Sequence, residues 1–391
     1  MTSIKPRIAI ENNPRGTISR GRRKKTVGAQ EKRGVKIIGL LKSTPLYLQI
    51  MMNILPIASG KGGVGKSNIA ANLAINLAQK GKRVVLADMD FGGANLHTLL
   101  GLKNNHAGLG NFIYKQTSDF SELLQETGIE NLRFIAGDCL YPGTANIDTL
   151  TKQKIIRKIG EIDADFVILD LGAGTTFHTL DFYLLTYNSI IVTTPELTSI
   201  LNAYSFLKAA AFRFFMRQFK ARSPERKFID KYLRESESGM EASFLDMVSR
   251  TSAEFRDSDS IAKSIDELKK YRPQVILNQG ETTDDLEMAK RLRSLVHKKL
   301  GISIDFVGFV RKDSRISLAV ASRTPLSISD PECEYVQSIR SAADRILQHT
   351  YEYNELNEFT ENNMFDNDFS EQTDKDIEVL STEFSKQYSG E

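Results

Sequence analysis

The chain has 391 residues, of which 41% are hydrophobic, and this composition excludes an intrinsically disordered protein. The net charge is +3, but the two ends of the chain have opposite charge. Residues 1–50 hold 12 Lys and Arg against 2 acids, and residues 351–391 hold 12 acids against 2 basic residues. Cys139 and Cys333 form no CxxC pair, which argues against a zinc or iron–sulfur site and favours a reducing cytoplasm.

The order of elements predicts an α/β protein. Residues 1–51 carry basic clusters without steady periodicity, so we expect a mobile N-terminal extension. In residues 52–350, short apolar runs alternate with helical segments, which predicts a doubly wound, mostly parallel sheet with helices on both faces. The seven predicted strands are Ile54 to Ala58, Val84 to Ala87, Leu132 to Ala136, Phe166 to Asp170, Ile190 to Thr193, Val275 to Asn278 and Asp305 to Val310.

Two regions depart from this alternation. Residues 205–270 lack strand signals and are interpreted as a helical insertion, and residues 351–391 are expected to be a mobile acidic tail. The insertion interleaves aromatic and basic side chains, which could form an amphipathic surface for a membrane or a partner helix. An ordinary helix packed on the sheet is the alternative that we favour. The aromatic residues are Phe206, Phe212, Phe214, Phe215 and Phe219.

A glycine-rich segment follows the first predicted strand and precedes an amphipathic segment. It fits G-x-x-x-x-G-K-[ST], whose glycines let successive backbone N–H groups face one phosphate. Lys66 should bridge the β- and γ-phosphates of ATP, and the Ser67 hydroxyl should ligate Mg²⁺. The predicted nucleotide-binding residues of this segment are Gly60, Lys61, Gly62, Gly63, Val64, Gly65, Lys66, Ser67 and Asn68.

Carboxylates follow two further predicted strands. Asp88 and Asp90 stand at the end of the second strand, and one of them can orient the attacking water while the other supports the Mg²⁺ shell. Asp170 ends a later apolar strand and fits the carboxylate that holds Mg²⁺. Gly172 can offer a backbone N–H to the γ-phosphate, in a turn that can move when this phosphate leaves.

These segments resemble the MinD/ParA ATPases. The stretch K-G-G-V-G-K-S from Lys61 to Ser67 is similar to the deviant Walker A box of that family, and VVLADMDFGGANL and VILDLGAG are similar to its two switch segments. The sequences of these motifs are most similar to those of the FlhG branch, the flagellar-number regulators. The resemblance covers roughly Asn53 to Ile346, apart from the insertion.

The resemblance implies an ATP-dependent homodimer that hydrolyses ATP slowly and is stimulated by an activating protein partner. It makes Lys61, Lys66 and Asp90 catalytic: Lys61 would reach the phosphates of the second subunit, and Asp90 would position the water. Asn278 would hydrogen-bond adenine, while Gly308, Asp313 and Pro325 would match the last strand and the loop beside the nucleotide. Ser67, Asp88 and Asp170 are the predicted metal ligands.

The cellular role has several candidates at this stage. Control of flagella leads, and a DNA-partitioning ATPase that binds DNA nonspecifically in its ATP state is the runner-up. A metal-cluster carrier and a nonenzymatic scaffold are weaker alternatives. We expect a cytoplasmic protein that could associate peripherally with membrane or nucleoid, although the acidic tail argues against attachment through a basic C-terminal helix.

Overall fold

A computed structural model of the protein describes residues 54–103, 105–137, 147–236, 243–359 and 375–388. These residues belong to one compact unit within residues 46–391. The predicted extension at residues 1–51 and Cys139 lie outside the described residues.

Eight strands form one sheet in the order β3-β4-β2-β5-β1-β6-β7-β8. Neighbouring strands are parallel except β3 and β4, which confirms the predicted doubly wound, mostly parallel sheet. All seven predicted strands are present, and the added strand β3 has only two residues, too few for a pattern. The strands are β1 (Ile54–Ala58), β2 (Val84–Met89), β3 (Gln125–Glu126), β4 (Leu132–Ile135), β5 (Phe166–Leu171), β6 (Ile190–Thr193), β7 (Gln274–Gly280) and β8 (Asp305–Arg311).

Helices connect the strands and cover the sheet. In chain order they are α1 (Lys66–Gln79), α2 (Leu96–Leu99), α3 (Leu109–Ile113), α4 (Thr149–Gly160), α5 (Phe177–Tyr183), α6 (Leu197–Arg217), α7 (Pro224–Ser236), α8 (Phe244–Glu254), α9 (Asp259–Lys270), α10 (Leu286–Leu300), α11 (Arg315–Ser322), α12 (Leu326–Ser329), α13 (Glu334–Phe359) and α14 (Lys375–Tyr388). Short 3₁₀ helices occur at Phe120–Leu123 and Thr283–Asp285.

The sheet has an apolar core on each face because successive strand residues point to opposite sides. In β5, Val167 and Leu169 join the core formed with α4, α5, α6 and α10. Phe166 and Ile168 join the opposite core, where α1 and α13 pack. Helix α1 is therefore held from its apolar side, which fixes the position of the phosphate loop at its start.

Helices α6 to α9 lie between β6 and β7 and confirm the predicted helical insertion. Helix α6 begins at Leu197, before the predicted boundary at residue 205. Of the five phenylalanines named in the sequence analysis, four are buried: Phe206, Phe214, Phe215 and Phe219. The fifth, Phe212, is partly buried against the same core. These aromatic side chains hold the insertion on the sheet, as the packing interpretation predicted, and do not form an exposed apolar surface.

The C-terminal region differs from the expected mobile tail. Residues 375–388 form α14, and its Ile377, Leu380 and Phe384 are buried beside β8 and α10. The Asp376 carboxylate pairs with Arg293 and accepts a hydrogen bond of 2.9 Å from the backbone N–H of Phe306 in β8. The expectation of mobility is wrong for this helix, because apolar residues at helical spacing cover the edge strand.

Candidate nucleotide-binding site

The phosphate loop connects β1 to α1 and has an open outer side. Gly63 and Gly65 have φ angles of 85° and 84°, in the region that glycine adopts without steric cost. A Cβ added at Gly62 or Gly63 would meet nothing within 4 Å. Since α1 begins at Lys66, the partial positive charge of its N-terminus faces this loop. The loop and helix together can receive an anion.

Three predicted side chains converge at the start of α1. The Lys66 ammonium lies 2.5 Å from Asp170 Oδ1 and 3.5 Å from Ser67 Oγ. Lys66 and Asp170 are both buried. Burial raises the pKa of Asp170, and the positive charge of Lys66 opposes this rise. The predicted phosphate lysine and two of the predicted metal ligands thus share one point at the carboxyl edge of the sheet.

Asp88 lies on β2 directly beside Asp170 on β5. It is 1% exposed and accepts hydrogen bonds from the backbone N–H groups of Asp90 and Leu96, at 3.1 and 3.0 Å. Burial, followed by the charge of Asp170, raises the pKa of Asp88 to about 7, although the two backbone N–H groups oppose the rise. Two buried carboxylates thus lie side by side, and one of them, Asp170, pairs with Lys66.

Asp90 connects the two predicted switch segments. Its Oδ1 accepts a hydrogen bond of 3.2 Å from the Gly92 N–H. A Cβ added at Gly172 would lie 3.2 Å from the same oxygen, so the turn after β5 passes close to the Asp90 side chain. A side chain at position 172 would require the Asp90 carboxylate to move by a few tenths of an ångström.

Two amide side chains at the end of β7 support the phosphate loop. The Asn278 Nδ2 donates a hydrogen bond of 2.8 Å to the Val64 carbonyl, and Gln279 Nε2 donates to the Gly63 carbonyl at 3.5 Å. Asn278 is 4% exposed, and its Oδ1 has no hydrogen-bond partner among the described residues. The structure therefore places Asn278 against the loop, with one acceptor still available. Its predicted contact with adenine remains a prediction.

Lys61 stands apart from this cluster. Its side chain is 46% exposed, and its ammonium lies 3.6 Å from the carboxylate of Glu196, the residue before α6. An exposed pair of this kind contributes little to stability. Lys61 does not contact Asp170 or Ser67 within one chain, and its predicted role across an interface remains a prediction.

The remaining predicted residues lie in α1, in β8 and in the segment after β8. Asn68 is in the first turn of α1, where its carbonyl accepts a hydrogen bond from Asn72. Gly308 is in β8 beside Ile276, Asp313 is paired with Arg315 after that strand, and Pro325 precedes α12. The loop after β8 thus begins one strand away from Asn278.

Sequence reasoning missed the supports of the loop. A Cβ at Gly60 would lie 2.2 Å from the Asn202 carbonyl oxygen, so only glycine lets the loop pack against α6. Asn72 and Asn76, both buried on α1, bond to Ser327 of α12. Two asparagines four residues apart in an apolar helix were the available signal, but their partner is over 250 residues away.

Comparison with known proteins agrees with this geometry. Residues 50–212 match the ParA family, described as NUBPL iron-transfer P-loop NTPase. The flagellum site-determining protein YlxH of Helicobacter pylori is 36% identical over 160 residues, which cover 39% of this chain and 51% of that protein. The septum site-determining protein MinD of the same organism is 35% identical over 153 residues, which cover 38% and 56%.

Solved structures of low sequence identity share the fold. MinD of Pyrococcus horikoshii, determined with Mg-ADP, has a TM-score of 0.50 at 18% identity and covers 75% of this chain and 95% of its own. The cell division ATPase MinD of Pyrococcus furiosus has a TM-score of 0.51 at 18% identity and covers 76% and 100%.

Residues 50–212 therefore form a P-loop segment of the ParA type, similar to that of the MinD/ParA family. The likeness to a flagellum site-determining protein supports the FlhG-type branch within it. The chain spans about half the length of the curated relatives it matches. The matched part of the chain includes the phosphate loop, the acids after β2 and β5, and the first part of α6.

Proposed function

We propose that this protein is an ATP-dependent switch that binds ATP with Mg²⁺, hydrolyses it slowly and dimerises in the ATP state. The convergence of Lys66, Ser67 and Asp170 at the start of α1 carries the proposal. Lys66 would exchange its pairing with Asp170 for the β- and γ-phosphates, because a phosphate chain offers an ammonium more negative charge than one carboxylate does.

The residues present fit Mg²⁺ and ATP. Ser67, Asp88 and Asp170 are oxygen donors, the class of ligand that Mg²⁺ prefers, and Mg²⁺ would neutralise charge on the phosphates. No group of three or more His, Cys, Asp and Glu side chains in the described part of the chain could enclose a metal. Phosphate oxygens and water would therefore complete the shell. Asp90, beside Gly172, would orient the attacking water.

The exposed surface beside the loop supports the dimer. Leu197 and Leu201, one turn apart at the start of α6, are 61% and 48% exposed, and Lys61 pairs with the residue just before them. A second copy could cover these leucines while Lys61 leaves Glu196 for the phosphates of the partner. Lys61 would bind the γ-phosphate, which ATP has and ADP lacks, so hydrolysis would weaken the dimer.

The cellular role that we propose is control of the position or number of flagella, through an activating protein partner. The likeness to YlxH, a flagellum site-determining protein, supports it. A metal-cluster carrier is the weaker proposal, because the chain has no CxxC pair. Within the described residues no helix is both long and apolar enough to cross a membrane.

A DNA-partitioning role is the second candidate, and one surface favours it. Five basic side chains at and before α7 are exposed, and among the described residues one of them, Lys231, lies 3.7 Å from an acid, Glu235. They are Lys220, Arg222, Lys227, Lys231 and Arg234. DNA binding through these residues would weaken steeply with salt and would need ATP. Salt-independent or absent DNA binding would exclude this candidate.

The proposed chemistry is tested by measuring phosphate release by the purified full-length chain, with Mg²⁺ and with EDTA. We expect slow release that needs Mg²⁺, and release that Asp90→Ala abolishes while nucleotide binding persists. Hydrolysis by Asp90→Ala at the parent rate would contradict the assigned role of Asp90. Failure of the parent to bind ATP would contradict the proposed function as a whole.

A further inference from the structure

Helix α1 contains two buried asparagines that its packing does not require. Asn72 and Asn76 are 1% and 2% exposed, and the other buried residues of α1 beyond its first turn are apolar. Burying an amide is costly unless it is hydrogen-bonded, and asparagine is a poor helix former. The two amide side chains therefore need hydrogen-bond partners that offset the cost of their burial.

Their partner is Ser327 in the short helix α12. The Asn76 amide donates to Ser327 Oγ at 2.9 Å, and the Ser327 backbone N–H donates to Asn72 Oδ1 at 2.9 Å. The same asparagines bond back along α1, since the Asn72 amide donates to the Asn68 carbonyl and the Asn76 amide to the Asn72 carbonyl, both at 2.8 Å. This chain of bonds, which we call the asparagine ladder, runs from α12 to the first turn of the phosphate-loop helix.

The segment that the ladder holds leaves the sheet beside the phosphate loop. It comprises residues 312–329, from the end of β8 to α12. At its start, the Lys312 N–H donates to the Gly280 carbonyl of β7 at 2.9 Å. Further on, the Arg323 carbonyl packs against Gly101, where an added Cβ would lie 2.8 Å away. The ladder provides the shortest hydrogen bonds between this segment and α1, beside a bond of 3.4 Å from Gln79 to the Ser327 carbonyl and the apolar packing of Leu326 in the core that α1 shares.

The two sides of the phosphate loop are chemically different. Asp88 and Asp170 lie on the β2 and β5 side, which suits the metal and the terminal phosphate. On the β7 and β8 side lie the neutral amide of Asn278, with an unpartnered buried Oδ1, and the segment 312–329. A nucleotide with its terminal phosphate toward the acids must extend its nucleoside to the other side, toward this segment.

We propose that Asn72 and Asn76 are positioning residues for the nucleoside. Through Ser327 they set the distance between segment 312–329 and the phosphate loop, so that the base and the phosphates are bound together. The proposal rests on the proposed function as an ATP-binding protein. It gives the ladder no contact with the phosphates, which the loop binds without its help.

The test compares two ligands in the full-length chain by titration calorimetry: Mg-ATP, and Mg-tripolyphosphate, which has no nucleoside. Ser327→Ala removes the hydroxyl that Asn76 donates to, and Asn76→Leu replaces the amide by an apolar group of similar size in an apolar environment. For each variant we expect ATP affinity to fall about 3- to 10-fold, the effect of one hydrogen bond, with tripolyphosphate affinity within about twofold of the parent.

Matched variants make the result specific. Ser338→Ala removes another buried serine hydroxyl, which among the described residues donates to the Glu334 carbonyl of its own helix, and should change neither affinity. Asn278→Ala, which removes a support of the loop itself, should weaken both ligands. The proposal is overturned if Ser327→Ala and Asn76→Leu weaken both ligands equally, or leave the ratio of the two affinities at the parent value. A parent that binds neither ligand would instead overturn the proposed function.

Discussion

Two buried ionic clusters in this protein have opposite charge balance. The phosphate-site cluster has one cation and two acids: Lys66, Asp88 and Asp170. The helix cluster joins α4, α5 and α6. It has one acid, Asp181, and three cations, Lys152, Arg213 and Arg217. Both lie largely out of water, where an unpaired charge is costly.

The two clusters differ in how well their carboxylates are satisfied. Burial acts to raise the pKa of Asp181, but hydrogen bonds from Arg213 and Lys152 hold it below its usual value. Arg213 alone donates two of them, at 2.8 and 2.9 Å. Burial and Asp170 instead raise the pKa of Asp88 to about 7. A carboxylate that lacks its counter-charge indicates a site for a ligand cation, whereas a fully bonded one holds helices together.

The largest expected effect is on stability, in the helix cluster. Asp181→Asn would leave the buried Lys152 and the partly buried Arg213 without their counter-charge. We expect the free energy of unfolding to fall by about 3–5 kcal/mol, measured by urea denaturation. The exposed pair of Asp163 with Arg83 provides the control, because water screens it and Asp163→Asn should leave the unfolding free energy close to that of the parent. Equal losses for the two variants would remove the distinction between the clusters.

The same carboxylate gives a pH dependence. Because the pKa of Asp181 is lower in the folded protein than in the unfolded chain, its contribution to stability is complete above about pH 4. It is lost as the pH falls through the folded value. The difference in unfolding free energy between parent and Asp181→Asn should therefore be constant from pH 5 to 7, roughly, and narrow in more acidic solution. A difference that widens in acid would mean that Asp181 is not the stabilised carboxylate.

The next effect concerns the single cation of the phosphate-site cluster. Lys66→Ala should lower the affinity for Mg-ATP by about 100-fold, because it removes the buried ammonium that would bond to the phosphates. Binding of a fluorescent ATP analogue measures it. Lys61→Ala is the control, measured at protein concentrations too low for the ATP-bound chain to dimerise. Within one chain this exposed lysine does not reach the loop cluster, so the variant should bind within about threefold of the parent. If both substitutions lowered the affinity for ATP by a similar factor, the buried lysine would not be the one that binds the phosphates within a chain.

The smallest expected stability effect is at Asp88. Asp88→Asn removes one of two neighbouring like charges but keeps one acceptor oxygen for a backbone N–H. The second backbone N–H then faces the amide NH₂, and relief of the repulsion with Asp170 offsets part of that cost. We expect the unfolding free energy to fall by about 1 kcal/mol, less than for Asp181→Asn, while Mg²⁺-dependent hydrolysis falls. A loss as large as that of Asp181→Asn would mean that Asp88 stabilises the fold in the way that Asp181 does.

Much of this fold and site could be predicted from the sequence, because the signals are local. The strand before the loop, the glycines and Lys66-Ser67 lie within one segment, and the acids follow apolar runs at the strand ends. Helix α14 was missed because the acidic composition of the tail outweighed the helical spacing of Ile377, Leu380 and Phe384. The asparagine ladder and the Gly60 contact with Asn202 join residues far apart in the chain, and only the folded arrangement brings them together.

The most direct measurement for the ATP-dependent dimer is light scattering coupled to size exclusion, on the full-length Asp90→Ala protein with Mg²⁺ and either ATP or ADP. Because this variant should bind ATP without hydrolysing it, we predict the mass of a dimer with ATP and of a monomer with ADP. Lys66→Ala should remain monomeric with both nucleotides. A monomer with both nucleotides for Asp90→Ala, or a dimer with both, would contradict a switch that ATP closes and hydrolysis opens.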